Sequence, residues 1–422
     1  MDNVEKLLCG VKLPRMAKAH LDFDAKYIED AGEYLRGNLE CFAYEKSVLP
    51  GQRIAITCGS RGIANSAVII KTIAEHIKSK GATPFIVPAM GSHGGATAKG
   101  QLDMVRSLGV TEEITGCEIL SAMEPVELGA APDGELVYLD KNAYEADGIV
   151  LFNRIKAHTS FRGKYESGLM KMMAVGLGKQ KGADVFHNMG PEHYLEKLIS
   201  YAGVVLSKAN IVFGVGVVEN AFDNTALIEV INPSDIPERE PELLKKAFEL
   251  MPCLPVGETD VLIVDEIGKE ISGNGMDPNI TGRFDNPYTT GGINAKRCIV
   301  LDLTESTHGN ITGLGMADLT TVRVMGKVSY ENSLPNVITN NVVELIKVPA
   351  VLKNDRMAIQ AAIETLTFAD KNNVRIIRIK NTAELKEIYI SQALDGECGE
   401  CPFFKRIGEF TEIEFDQNGN LF

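Results

Sequence analysis

The chain has 422 residues and a net charge of −14, long enough for two domains of ordinary size and too acidic to track a phosphate backbone, so nucleic acid is not an expected partner. Tryptophan is absent and aromatics are only 6% of the residues, which also argues against a base-stacking groove. No apolar run approaches the ~20 residues needed to cross a bilayer, so no membrane role is expected.

Met1 to Lys18 lacks the continuous apolar stretch of a secretory signal. The eight cysteines are scattered, apart from the pair Cys398 and Cys401. A cytoplasmic protein with reduced thiols is the expectation. One Cys-x-x-Cys pair supplies only half of a four-ligand metal site.

In chain order, Arg53 to Thr57 is a short strand-like run that ends at Cys58-Gly59-Ser60-Arg61-Gly62. A helical pattern follows, with Ala67, Ile70, Ile73, Ala74 and Ile77 on one face, and Gly81 stops it. Thr83 to Pro88 is the next strand and runs into Met90-Gly91-Ser92-His93-Gly94-Gly95. Thr97 can cap the helix that carries Leu102, Val105 and Leu108. Gly148 to Phe152 and Ile211 to Val217 read as buried strands. This strand–loop–helix rhythm predicts a mainly parallel sheet covered by helices.

Composition shifts after Ala221 to a segment rich in proline and acids, Asn232 to Pro255. A new α/β pattern then begins with strands at Val261–Val264, Cys298–Leu301 and Val374–Ile379, and a long helical region from about Asn340 to Thr365. The expected architecture is therefore α/β with two domains, residues 1–245 and 246–422, each a mainly parallel or mixed sheet covered by helices. The active site is expected in the cleft between them, with the C-terminal domain closing over the substrate.

Ligands of open α/β sheets bind beyond the carboxyl ends of the strands. Arg61, His93 and His158 all lie just past such ends. His93 sits among glycines that let backbone approach a ligand. His158 lies in a loop with Arg154, Lys156, Arg162 and Lys164, a local reversal of sign that suits a carboxylate or phosphate; a solvated basic loop is the plainer alternative. Lys171 is flanked by Met170, Met172 and Met173. Desolvation there would lower its pKa and make the amine nucleophilic, whereas a snorkelling lysine is the plainer alternative. His187, with His193 six residues later, could contribute to a metal site, although one histidine is not a site.

Taken in order, Arg61, Gly91-Ser92-His93 with Thr97, His158, the Gly168 stretch with Lys171, and His187-Asn188 resemble the nickel-pincer lactate racemase family (LarA-type). The separation of Lys171 and His187, sixteen residues, fits the family's spacing. The resemblance implies a cofactor, a nickel pyridinium-3,5-bisthiocarboxylic acid mononucleotide or nickel-pincer nucleotide, tethered through Lys171, with His187 as the protein ligand to nickel. Gly168, Thr97 and Arg61 would contact the cofactor, and His93 and His158 would be the paired acid–base catalysts. Arg61, Arg283 and Asn279 would bind substrate. It further implies a racemase or epimerase acting on C2 of a small anionic 2-hydroxy acid by hydride transfer, with cofactor-assembly proteins as partners and homo-oligomerisation left open. The family's loop commonly reads His-Arg after the glycine, whereas here His93 is followed by Gly94-Gly95; Cys58 replaces a typical acid, and Ser272 to Arg283 does not match the usual lysine-bearing segment. These departures point to a hydroxy acid other than lactate. Two other classes remain open: a zinc-dependent hydrolase or lyase using the same histidines, and a non-catalytic protein that binds a small acid.

Overall fold

A computed structural model describes residues 3–188, 190–367 and 369–422, with Thr339 and Asn340 described by backbone alone. Two compact units divide it, Asp24–Met251 and the combination of Met1–Phe23 with Pro252–Phe422. The strands in chain order are β1 (Met16–Leu21), β2 (Arg53–Cys58), β3 (Thr83–Pro88), β4 (Glu118–Ile119), β5 (Pro125–Ala130), β6 (Leu136–Asp140), β7 (Gly148–Arg154), β8 (Ile211–Glu219) and β9 (Thr225–Ile231). They continue with β10 (Glu258–Ile267), β11 (Asn294–Leu303), β12 (Leu319–Thr321), β13 (Ala350–Leu352), β14 (Ile376–Ile379), β15 (Glu387–Ser391) and β16 (Phe404–Arg406).

In the unit Asp24–Met251, the described residues form a six-stranded sheet in the order β4-β3-β2-β7-β8-β9. All pairs are parallel except β8 with β9. The period of two along a strand sends alternate side chains to opposite faces. On β2, Ile54 and Ile56 join Ile69, Ile70, Ile73 and Ile77 of the helix Ser66–Ser79. Ala55, between them, joins Leu169, Met172 and Met173 on the other face. Both faces are thus covered, which is why these strands read as continuous apolar runs.

In the other unit, the described residues form an eight-stranded sheet ordered β13-β12-β11-β10-β14-β15-β1-β16. Strands β10 to β14 pair in parallel, and β15, β1 and β16 run antiparallel to their neighbours. Each unit is therefore a mixed or mainly parallel sheet with helices against it.

Two sequence expectations need correction. The first 23 residues do not stay with the N-terminal unit, because β1 pairs with β15 (Met16 opposite Ser391) and lies in the C-terminal sheet. The helical region expected from about Asn340 to Thr365 is broken into a short turn at Val343–Ile346, strand β13 and the helix Asp355–Glu364. Pro349 opposes helix at the residue before it, Val348 and Val351 favour extended backbone, and Asn354 restarts the helix by accepting the Met357 N–H at 3.0 Å.

Candidate functional site

Arg61, His93 and His158 lie in the segments that follow the carboxyl ends of β2, β3 and β7, whereas Lys171 and His187 sit on the helices Leu169–Lys171 and Lys179–His187. Strand β7 leads into the basic loop, whose cations divide into two sets. Arg154 is ion-paired with Glu219, which also accepts the Ala64 N–H. Arg162 donates to the carbonyl of His158 at 2.8 Å and pairs with Glu166 at 3.3 Å. Lys164 is half exposed beside Glu238. These three are structural or solvated. Lys156 and Arg61 instead direct their charge toward Lys171. Among the described residues, the Arg61 side chain makes no hydrogen bond or ion pair.

Glu166, 1% exposed, organises the loop. Its carboxylate accepts the His158 N–H at 2.6 Å as well as the Gly163 N–H. The ring of His158 is then oriented by the Ser160 N–H, which donates to Nδ1 at 3.0 Å. A nitrogen accepting a backbone N–H must hold a lone pair, so the hydrogen-bond pattern puts the neutral ring's proton on Nε2. That Nε2 meets Lys171 Nζ. Burial, then the charges of Lys171, Lys156, His187 and Arg162, hold the His158 pKa well below its ordinary value. The ring is therefore neutral at neutral pH and can donate Nε2–H to the lysine lone pair.

Lys171 ends the short helix Leu169–Lys171, which runs into a π-helical turn over Met172–Gly176. The wide turn is closed by the Leu177 N–H donating to the Met172 carbonyl at 2.9 Å, and such turns recur at functional sites. Burial, reinforced by the Arg61 and Lys156 charges, pulls the Lys171 pKa down to about 7. The snorkelling alternative does not describe this amine.

The start of that helix is held by Glu240, a fully buried residue of the helix Ile236–Leu250. Its Oε2 accepts the Met170 N–H at 2.9 Å. Burial raises its pKa to about 7. A Cβ at Gly168 would collide with this carboxylate, and Asn153 Nδ2 donates to the Gly168 carbonyl at 2.8 Å. Gly168 is thus needed for close approach.

His187 closes the helix Lys179–His187. Its Nδ1 is hydrogen-bonded to the Tyr194 hydroxyl at 3.0 Å, which leaves Nε2 as the nitrogen able to face a ligand. Burial first, then Lys171 and Lys197, lower its pKa to about 4. His158, Lys171 and His187 therefore lie within electrostatic reach of one another, the amine near neutral and both imidazoles uncharged. His193 is half exposed and faces Glu196 at 3.7 Å.

His93 lies exposed on the loop after β3. This loop carries left-handed backbone at Gly91, Gly94, Gly95 and Ala96. A Cβ on Gly94 would come within 2.6 Å of the Gln101 amide nitrogen, so glycine is required there. Thr97 caps the helix Ala98–Ser107, accepting the Gly100 N–H at 3.0 Å, and its hydroxyl also donates to the Gly94 carbonyl. The role visible for Thr97 is to hold the His93 loop.

Arg283 and Asn279 belong to the other unit. Arg283 donates to the Ala295 carbonyl and pairs with Asp318, each at 2.8 Å. This commits it near the amino ends of β11 and β12, opposite the ends where α/β ligands bind. Asn279 is 7% exposed in the turn Pro278–Thr281, its amide donating to Asp277 at 2.8 Å. Cys398 is buried and Cys401 partly so, both as free thiols.

Sequence reasoning did not single out Glu166, Glu240, Tyr194, Gln101 or the role of Lys179. Gln101 and Glu240 carry a readable signal, since each is a polar residue on the buried stripe of its helix, beside Val105 and beside Ile236, Leu243 and Leu244 respectively.

The α/β unit thus sets a desolvated amine, Lys171, within electrostatic reach of two uncharged imidazoles, His158 and His187. Residues 7–194 match the lactate racemase N-terminal domain. The fold is similar to that of the lactate racemase apoprotein from Thermoanaerobacterium thermosaccharolyticum, with 14% identity, a TM-score of 0.50, and coverage of 80% of this chain and 88% of that one. No curated protein sequence matches the chain. Among the described residues, no helix is long and apolar enough to cross a membrane.

Proposed function

We propose that this protein inverts C2 of a small 2-hydroxy acid using a nickel-pincer nucleotide tethered to Lys171, with His187 as the protein ligand to nickel. The observation that carries this reading is the grouping of Lys171, His158 and His187 in one desolvated neighbourhood. The donor set fits the group. A neutral amine is what acyl attachment requires. A neutral histidine oriented through its other nitrogen by Tyr194 is what a metal ligand requires. Among the described residues, no three His, Cys, Asp or Glu side chains gather to hold a metal by themselves. This favours a metal borne on an organic group with one protein ligand over the zinc hydrolase alternative.

The bound group would supply a hydride acceptor, the chemistry that makes a weakly acidic α-hydrogen removable. The chain's own residues do the rest. Arg61, with an uncommitted guanidinium, grips the substrate carboxylate. His93 and His158 take and return the hydroxyl proton, one for each face of the substrate carbon; to accept it, His158 moves its own proton from Nε2 to Nδ1 and gives up the Ser160 hydrogen bond. Each such transfer typically contributes ~10²–10⁴-fold. With Lys171 acylated, the Nε2 of His158 is released from the amine and can turn to substrate. A cytoplasmic setting and delivery of the group by cofactor-assembly proteins accompany this reading.

The test is intact-mass and nickel analysis of protein made alongside the cofactor-assembly machinery, followed by a panel of chiral 2-hydroxy acids assayed for loss of optical purity. A mass increment on Lys171 with racemisation of at least one acid is expected. Lys171→Ala protein that racemises as well as the parent would overturn the proposal.

A further inference from the structure

The loop that presents His93 is held from below by a relay of buried polar side chains. Lys179 has no exposed surface, yet its Nζ donates to the Pro88 carbonyl at 2.9 Å and to Gln101 Oε1 at 2.6 Å, and lies 3.3 Å from Asp140. Gln101, also with no exposed surface, spends its amide group on the carbonyls of Gly91 at 2.8 Å and His93 at 3.2 Å. Asp140 is fixed in turn by the Ala143 N–H at 3.0 Å. The Gln101 amide cannot be reversed, since a flip would set its NH₂ against the ammonium and its oxygen against two carbonyls.

A second bond ties the same loop to the Lys171 turn. The Gly91 N–H donates to the Gly176 carbonyl at 3.0 Å. The π-helical turn and the His93 loop are therefore clamped together at Gly91, with Lys179 immediately beyond the turn. Lys179 also adopts left-handed backbone, φ 56°, a conformation costly for any residue with a Cβ. A glycine there would relieve the strain, and an apolar side chain would avoid burying a charge. A buried ion pair is weak evidence for stability but good evidence for a fixed arrangement. The strain and the burial are both explained if the ammonium must stand at this point.

We propose that Gln101 and Lys179 are positioning residues that hold the His93 backbone in register with the Lys171 turn, through a buried relay starting at Asp140. The inference rests on the acid–base role proposed for His93. It assigns no contact with substrate to either residue.

Gln101→Glu isolates the relay. The new carboxylate still receives Lys179 but turns an oxygen toward the Gly91 and His93 carbonyls, so the fold keeps its buried pair while the loop loses two donors. In cofactor-free protein, amide hydrogen exchange over residues 90–97 should quicken roughly 10-fold, with exchange elsewhere unchanged. In the cofactor-loaded enzyme, kcat should fall roughly 10-fold or more with KM within about 2-fold. If Gln101→Glu does not fold, Gln101→Met removes the same donors without adding charge and is read in the same way. Unchanged exchange over 90–97 overturns the relay. His93→Ala separates the two ideas: an inactive His93→Ala beside a Gln101→Glu enzyme of parental kcat overturns the relay alone, whereas a fully active His93→Ala overturns the acid–base reading and the relay's link to turnover with it.

Discussion

The carboxylate of Glu240 accepts the backbone N–H of Met170 at 2.9 Å, one residue before Lys171. An acid on a helix seventy residues downstream therefore holds the backbone where Lys171 enters its turn. The other carboxylate oxygen of Glu240 is buried without a hydrogen-bond partner among the described residues. Such an atom costs free energy when the group is charged.

The sign of the resulting pH dependence follows from burial. Burial lifts the Glu240 carboxyl from its ordinary 4.5 to about 7 in the folded protein, so the folded state binds the proton more tightly. Its stabilising contribution is complete below about pH 4.5 and is lost as pH rises through about 7. Glu240→Gln should remove this loss, gaining on the order of 3 kcal/mol relative to the parent at pH 8 compared with pH 4. Urea unfolding of both proteins at the two pH values measures it, and a difference independent of pH would rule out titration of Glu240 in this range.

Lys171 should behave as a neutral-pH nucleophile before any cofactor is attached. With its pKa pulled to about 7 by burial, Arg61 and Lys156, the amine is mostly unprotonated above neutrality, whereas an ordinary lysine requires a pH of about 10.4. Peptide mapping after brief treatment with an activated ester, across pH 5.5–10, should give Lys171 a half-maximal labelling rate near pH 7. A midpoint shared with the surface lysines would remove the physical basis for the tether.

Much of the N-terminal sheet was legible because its strands are covered on both faces. Ile54–Ile56 and Ile211–Val218 show this as fully buried runs without a charged residue. The placement of Met16–Leu21 was not legible, since its partner strand begins at Glu387 and no local pattern records a pairing at that distance. Lys171, His158 and His187 were legible as a set only through their order along the chain. Their mutual desolvation arises from three separate segments, and spacing alone cannot express it. Glu240 and Gln101 were overlooked for a different reason. Their partners are backbone atoms of other segments, and a lone polar residue on a buried helical stripe shows that a partner exists without saying which one.

Tyr194 should matter for the metal more than for the fold. Its hydroxyl fixes His187 Nδ1 at 3.0 Å and so aims Nε2. Tyr194→Phe keeps the ring packed against Phe186, whose centroid is 5.0 Å away, and removes only the orienting oxygen. Nickel affinity should fall by about 10–100-fold, read as nickel per chain after dialysis against a chelator, while the mass increment on Lys171 persists. Full nickel retention would mean that His187 needs no orienting partner or is not the ligand.

Arg61 can be separated into its two roles. As a carboxylate grip it works by paired hydrogen bonds from a planar fork, so Arg61→Lys should raise KM roughly 10-fold while kcat changes less. As a neighbouring charge it lowers the Lys171 pKa, second only to burial, so Arg61→Ala should move the labelling midpoint of Lys171 upward while Arg61→Lys should not. An Arg61→Lys enzyme with parental KM but a missing mass increment on Lys171 would transfer Arg61 from the substrate to the cofactor. The two substitutions together distinguish a residue that recognises the hydroxy acid from one that prepares the lysine.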